Sequence, residues 1–330
     1  MKPVYSIVVP IYNEEAVLPI LLRRLDALIN ALDGPAEAII VDDGSTDSGS
    51  IVCEAKARSD KRYRYVRLSR NFGHQIAISS GLDLARGDAV VVMDGDLQDP
   101  PEVVLEMAAQ WRRGYEVVSG ERLSRDGESQ FKKTTADLFY WLVGKISKTT
   151  IPRNVGDFRL VDRKVVDCFR DMPERDRLVR GMFAWLGFRQ TVVRFHRPAR
   201  GVGETKYPIA KMLRLAVNGL VSFSDAPLRV ALWLGMGVSL VSFFYGCWVI
   251  AMWILHADLV PGWSSLIVVS AFLGGANMMM TGVMGLYVGR IYDEAKGRPL
   301  YVIDRLVGFD SEVETLRAVE TRNRKTPAHA

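Results

Sequence analysis

The stretch VVVMDGDLQDPP, residues 90–101, runs an uninterrupted apolar segment straight into the carboxylates Asp94, Asp96 and Asp99. A short apolar run without polar alternation is the pattern of a strand buried on both faces of a mostly parallel sheet. Hydrated carboxylates belong at the tip of such a strand, not along it. Gly95 lets the backbone turn tightly there and leaves room for a ligand. Asp94 and Asp96, two residues apart, can converge on one divalent cation, because Mg2+ and Mn2+ prefer oxygen ligands; Gln98 offers another oxygen. An acidic loop alone has little specificity. Its weight comes from the strand that precedes it.

The same pattern recurs outward from this segment. Tyr5–Pro10, Ala38–Val41, Tyr63–Leu68, Ala89–Met93 and Glu116–Ser119 read as strands, and Ala16–Ala31, Ser48–Ser59, Gln75–Ala85 and Glu102–Arg112 as the helices between them. This alternation predicts a Rossmann-like α/β domain, in which ligands collect beyond the carboxyl ends of the strands. Three of those ends are acidic: Asn13-Glu14-Glu15, Asp42-Asp43 and Asp94/Asp96. One site assembled from several strand tips is the simplest reason for the repetition.

The chain has 330 residues, 48% hydrophobic and 25% charged, which is ordinary for a folded protein, but the average hides a split. Residues 1–225 are charged, whereas 230–289 are almost uncharged. A net charge of +5 does not point to nucleic acid and suits a partner of anionic membrane lipid. Three cysteines and no CxxC argue against a disulfide framework or structural zinc. The N-terminus is not a signal peptide, since Asn13-Glu14-Glu15 follow its short apolar core. Val230–Leu255 and Leu259–Gly289 carry no formal charge, and about 20 residues suffice to cross a bilayer. They are expected to form a two-helix transmembrane hairpin over 229–256 and 261–289. Lys206, Lys211, Arg214 and Arg229 before it, and Arg290, Lys296 and Arg298 after it, predict an inner (plasma) membrane protein with both termini and the catalytic domain cytoplasmic.

Two amphipathic helices are expected against the membrane, over 131–148 and 208–225. The remaining boundaries are 1–207 for the α/β domain and 290–330 for a cytoplasmic tail. A short strand at 300–304 in that tail could pair with a neighbouring subunit's sheet and make a homo-oligomer.

SIVVPIYNEEAVLP, IIVDDGSTD, LSRNFGHQIAISSGLDLARGDAVVVMDGDLQDPPE and GDFRLVDRKV together resemble the family 2 glycosyltransferases. The resemblance is closest to the polyprenyl-phosphate glycosyltransferases, the group of dolichol-phosphate mannose synthase and bacterial undecaprenyl-phosphate glucosyltransferase. It implies a GT-A fold and a metal-dependent, inverting transfer of a sugar from a UDP-sugar to polyprenyl (undecaprenyl) phosphate. Glucose is the first expectation. Alternatives are GDP-mannose, UDP-N-acetylhexosamine or a UDP-amino-arabinose derivative as donor, or a catalytically inactive membrane scaffold.

Carried over position by position, the resemblance assigns Pro10, Tyr12 and Glu14 to the nucleotide-contacting first loop, and Asp42 to the uracil ring. From the residues alone, a helix N-cap by Asp43 or Ser45 stands beside that role. Asp94, Asp96 and Gln98 match the set that binds Mg2+ or Mn2+, and Arg122 a phosphate contact, although Glu121 stands where Thr is usual. Lys132 or Lys133 replaces a second Arg. Arg200, Thr205 and Lys206 match an element that holds the acceptor phosphate. Asp157 matches the catalytic base, with Asp96 as its acidic companion at the reaction centre. A phosphate acceptor is already mostly ionised near pH 7, its second pKa being about 6, so Asp157 is expected mainly to orient. Arg159 can pair with a phosphate or with Asp157. His74, where Lys is common in relatives, reads as a loop histidine.

Overall fold

β1 (Tyr5–Ile11), β2 (Ala36–Asp42), β3 (Tyr63–Leu68) and β4 (Ala89–Val92) are buried along nearly their whole length and pair in parallel, β4 with β1, β1 with β2 and β2 with β3. The computed structural model describes residues 2–123, 155–196, 226–255 and 262–309. The helices α1 (Leu18–Ala31), α2 (Gly49–Ser59), α3 (His74–Leu84) and α4 (Val103–Arg112) fall where the apolar periodicity places them, within two residues at each boundary. They cover both faces of the sheet. One core gathers Leu18, Leu21 and Leu25 of α1 with Met107 of α4; the other gathers Ala77, Ile78 and Leu82 of α3.

Beyond β4 the sheet departs from the alternation. β5 (Val117–Arg122) is separated from β4 by β6 (Val155–Asp162), which runs antiparallel to both. The strand order is β7-β5-β6-β4-β1-β2-β3-β8, with β7 (Gln190–Phe195) parallel to β5. GDFRLVDRKV carries this sixth strand and the start of α5 (Arg163–Asp171), whose N-cap Asp162 accepts the Lys164 N–H. A short α6 (Val179–Trp185) follows. Because β6 is reversed, its first residues lie beside the carboxyl end of β4: Arg159 pairs with Val92 and Asp162 with Ala89.

The last strand is β8 (Ile303–Val307), displaced from the expected 300–304. It pairs antiparallel with β3 of its own chain, Tyr65 opposite Val307. The residues just before it are anchored instead: Tyr301 is buried and its hydroxyl donates to Asp83 at 2.8 Å, while the Val302 carbonyl accepts from Ser69 N–H. The strand thus covers an edge of its own sheet, which removes the sequence-based reason for a homo-oligomer.

The chain divides into two compact units, one holding this sheet and its helices, the other holding α7 (Ala226–Ile254) and α8 (Trp263–Ala295). The helices lie close to the expected apolar segments, but the two-span inner-membrane expectation is overturned. Among the described residues no helix is long and apolar enough to cross a membrane. α8 continues past the uncharged run into Arg290, Asp293 and Glu294. The expected amphipathic helices at 131–148 and 208–225 lie outside the described residues.

α3 lies so close to β1 that a side chain on Gly81 has no space: a Cβ there would stand 2.2 Å from Val8 Cγ1 and 3.1 Å from Val41 Cγ2. Gly81→Ala is expected to lower stability by about 1–3 kcal/mol through overpacking, read as a lower urea midpoint with an unchanged slope. An unchanged midpoint would show that α3 does not seat on β1 this tightly.

Candidate active site

The carboxyl ends of β1, β2, β4 and β5 and the amino end of β6 meet at one edge of the sheet, as the strand directions require. The loop after β4 carries Asp94 and Asp96. Gly95 is needed there for close approach, because a Cβ would stand 2.9 Å from Ile11 Cγ2 and 3.1 Å from the Pro10 carbonyl. Leu97 follows in the left-handed region at φ 60°, an uncommon conformation for a residue with a branched side chain. The loop closes on itself: Asp96 Oδ1 accepts the Gln98 N–H at 3.0 Å, and Asp99 Oδ2 accepts the Asp94 N–H at 3.3 Å.

The neighbouring loops are joined through their own acidic residues. Asp42, at the end of β2, is fully buried; it accepts from Ser45 N–H at 2.7 Å and from the Tyr65 hydroxyl at 2.6 Å. Ser45 Oγ in turn accepts the Asn13 N–H of the first loop at 3.0 Å. Asp43 reaches the other way and accepts the N–H groups of Phe72 and Gly73, at 2.7 and 2.9 Å. Burial raises its carboxyl above the usual range, against the pull of those two donors. Asp43 therefore holds the turn from which α3 starts, and α3 starts with His74 and Gln75.

Both of those side chains approach Asp157. His74 is the first residue of α3; its Nε2 lies 3.3 Å from Asp94 Oδ1 and 3.7 Å from Asp157 Oδ2. Burial works against its charge, but the Asp157 and Asp94 carboxylates raise it to about 10. Gln75 Nε2 donates to Asp157 Oδ2 at 2.7 Å. Asp157 stands on β6 with Arg159 NH2 3.8 Å from its Oδ1. Burial would raise its pKa, yet His74 and Arg159 hold it below the usual carboxylate range. Arg159 is buried against Phe183 and lowered to about 10 by that burial, which Asp157 partly offsets.

Arg122 ends β5 and points back to the same edge, 3.6 Å from Asp99 Oδ1. Asp99 is fully buried; burial and then the Asp94 charge push it up to about 7, with Arg122 opposing. Of the remaining expected residues, Pro10 is buried at the end of β1, Glu14 is partly buried, Tyr12 is exposed beside the site, and Gln98 is buried. Arg200, Thr205, Lys206 and Lys132 lie outside the described residues.

The described residues do not form a complete metal cage, since nowhere among them do three His, Cys, Asp or Glu side chains converge as one. The edge nevertheless fits a hard divalent cation. Asp94 Oδ1, Asp99 Oδ1 and Asp157 Oδ1 are buried acceptors with no hydrogen-bond partner among the described residues. Mg2+ commonly takes one or two carboxylates and completes its shell with water and substrate phosphate oxygens.

Sequence reasoning passed over His74, Gln75 and Asp99 as members of the site. His74 departs from a usual Lys, which is a signal of position although it was read as a loop residue. Asp99 stands in the decisive stretch itself. Only the fold shows that its side chain turns under Asp94 and away from solvent.

Residues 6–170 match the model of the glycosyl transferase family 2 domain. The chain is similar to the uncharacterized glycosyltransferase YkcC of Bacillus subtilis, 44% identical over 93% of this chain and 95% of that one. It is 40% identical to a prophage bactoprenol glucosyl transferase homolog of Escherichia coli, over 91% and 98% of the two chains. Against the bactoprenol glucosyl transferase of Shigella phage SfII it is 39% identical, over 91% and 97%. A solved structure of glucosyl-3-phosphoglycerate synthase from Mycobacterium tuberculosis with Mn2+ and UDP is 20% identical, covering 65% of this chain and 76% of that chain at a TM-score of 0.44.

The raised pKa of Asp99 has a stability consequence. Between its unfolded value near 3.8 and its folded value near 7 the native protein binds the extra proton, so stability falls as pH rises through that window. Asp99→Asn keeps an acceptor for the Asp94 N–H and cannot ionise. In chelator-containing buffer it is expected to unfold at a higher urea concentration than the parent at pH 8, with the difference gone near pH 4. An Asp99→Asn protein no more stable than the parent at pH 8 would contradict the burial of an ionisable Asp99.

Proposed function

We propose that this chain, which belongs to glycosyl transferase family 2, transfers glucose from UDP-glucose to a polyprenyl phosphate. Its Rossmann-like mixed α/β sheet is the GT-A fold of that family. Glucose and the lipid acceptor are supported by the relatives named bactoprenol glucosyl transferase, similar over nine-tenths of the chain. The observation that carries the reading from the chain itself is the set of buried oxygens on Asp94, Asp99 and Asp157, at one sheet edge, that have no hydrogen-bond donor among the described residues.

In this reading the nucleotide lies across the tips of β1 and β2. Tyr12, exposed and flanked by backbone, offers a face for the uracil ring. Asp42 already accepts two hydrogen bonds, and a carboxylate can accept more, so its contact to the ring N–H would add to those. Asp94 and Asp96 would hold Mg2+ or Mn2+, with Gln98 closing the loop beneath. When bound, that cation supplies positive charge against the diphosphate and lowers the cost of UDP departure. Arg122 would add a fixed cation on the same side.

The bond that forms joins an acceptor phosphate oxygen to the anomeric carbon, and the bond that breaks joins that carbon to the UDP oxygen. Attack in line from the opposite face inverts the centre. The electron pair of the broken bond leaves on UDP. A phosphate monoester with a second pKa of about 6 is its own nucleophile at neutral pH. Asp157, held below the ordinary carboxylate range by His74 and Arg159, is a weak proton acceptor. Its role is therefore to orient the acceptor or a sugar hydroxyl. Arg200, Thr205, Lys206 and Lys132 are assigned to the acceptor phosphate on the sequence resemblance alone.

Purified protein incubated with UDP-glucose, undecaprenyl phosphate and Mg2+ or Mn2+ is expected to yield a hexosyl phosphoprenol by mass spectrometry. Chelation, or alanine at both Asp94 and Asp96, is expected to lower the rate by about 10²-fold or more. Full turnover after either treatment would refute the cation's role. Product only with another nucleotide sugar would replace glucose, and none with any donor would favour a scaffold.

A further inference from the structure

We propose that Gln75 is a positioning residue for the sugar transfer, acting through Asp157; this rests on the reaction proposed above. The side-chain amide bridges two elements. Its Oε1 accepts the backbone N–H of Val179, the first residue of α6, at 2.8 Å. That bond fixes which end of the amide is which, because a backbone N–H can only donate. The Nε2 end is thereby committed to Asp157, where it donates to Oδ2 at 2.7 Å. The Gln75 backbone is itself held: its carbonyl accepts from Ser79 Oγ at 2.8 Å, and the Asp43 carboxylate holds the two N–H groups that precede α3.

The geometry leaves Asp157 with one oxygen taken and one without a hydrogen-bond partner. Oδ2 is on Gln75, and Oδ1 is a buried acceptor near Arg159. His74 Nε2 lies 3.7 Å from the same Oδ2 and Arg159 NH2 3.8 Å from Oδ1, so both also hold the group. The short bond from Gln75 gives the carboxylate its direction and so presents Oδ1 as the oxygen that meets the substrate. An orienting group works only when its own rotamer is fixed, and a displacement of about 1 Å can cost about 10²-fold in rate.

Gln75→Glu separates this role from a merely structural one. The glutamate keeps an oxygen for the Val179 N–H and replaces the donor to Asp157 with an acceptor. A negative charge in the first turn also suits the helix, so α3 itself is not weakened. Gln75→Met removes both bonds. Initial rates at pH 8, well below each variant's unfolding temperature, are compared with Asp157→Asn and with the double variants. The expected result is a loss in kcat of about 10- to 10²-fold for both Gln75 variants, with KM for UDP-glucose within about twofold. Added to Asp157→Asn, neither should slow the enzyme further. Wild-type kcat in Gln75→Glu, with loss only in Gln75→Met, would reduce Gln75 to a tie between α3 and α6 and overturn the proposal. So would losses that multiply with that of Asp157→Asn. A wild-type protein that makes no glycolipid overturns the reaction and this inference together, whereas an unimpaired Gln75→Glu overturns the inference alone.

Discussion

Carboxylates crowd one edge of this sheet, and three of them are incompletely hydrogen-bonded. Among the described residues Asp94, Asp99 and Asp157 each keep a buried oxygen without a hydrogen-bond donor, although His74, Arg122, Arg159 and Arg180 act on them as cations. The balance is uneven among the three. Asp157 has cations close by and is held ionised, while Asp99, shut away from water beside Asp94, is pushed towards its neutral form. A buried carboxylate oxygen without a donor is costly, and a protein retains it where a ligand will supply the missing partner. A cation and the diphosphate it accompanies are partners of the right chemistry for a member of this family.

The framework around that edge brings these groups together without strain in most of the chain. β1 to β4 are buried, parallel and regular. The departures lie at the edge itself, with Asn13 and Leu97 at positive φ and Gly95 pressed against the end of β1. Acidic side chains serve there as structural connectors as well as ligands. Asp42 ties the second loop to β3 through Tyr65, and Asp43 ties it to the start of α3. The loop that would meet the nucleotide is thus mechanically joined to the helix whose Gln75 donates to Asp157.

Much of this was legible in the sequence because it depends on local rules. Buried parallel strands have no polar alternation, so β1 to β4 and the helices between them stand out from their neighbours. β6 does not, since its polar residues Asp157, Arg159 and Asp162 alternate with apolar ones and it pairs in the opposite direction to the strands beside it. No local signal announces that a reversed strand will slot between β4 and β5. The site follows the same division. Asp94 and Asp96 are legible as a motif, whereas the turning of Asp99 under them, and the convergence of His74 and Gln75 on Asp157, depend on the pairing of β4 with β6. The apolar segments at 230–289 are two long helices, as their uncharged sequence suggests, although among the described residues neither is long and apolar enough to cross a membrane.

The insertion of β6 is also what makes a phosphate acceptor chemically sensible here. In a purely parallel sheet every loop at this edge would be a βα turn, well suited to phosphates and sugars of the donor. Reversing one strand brings its amino end to the same edge, and with it a carboxylate on a rigid element instead of a mobile loop. Asp157 then approaches from the side opposite the β1 and β2 tips, with Asp94 between them. In the proposed reaction that arrangement separates the donor's charges from the carboxylate proposed to orient the acceptor. For a nucleophile that needs no deprotonation, a fixed and ionised carboxylate is more useful than a basic one. Its low proton affinity, a disadvantage for a general base, keeps it in one charge state while the electron pair passes from acceptor to leaving group.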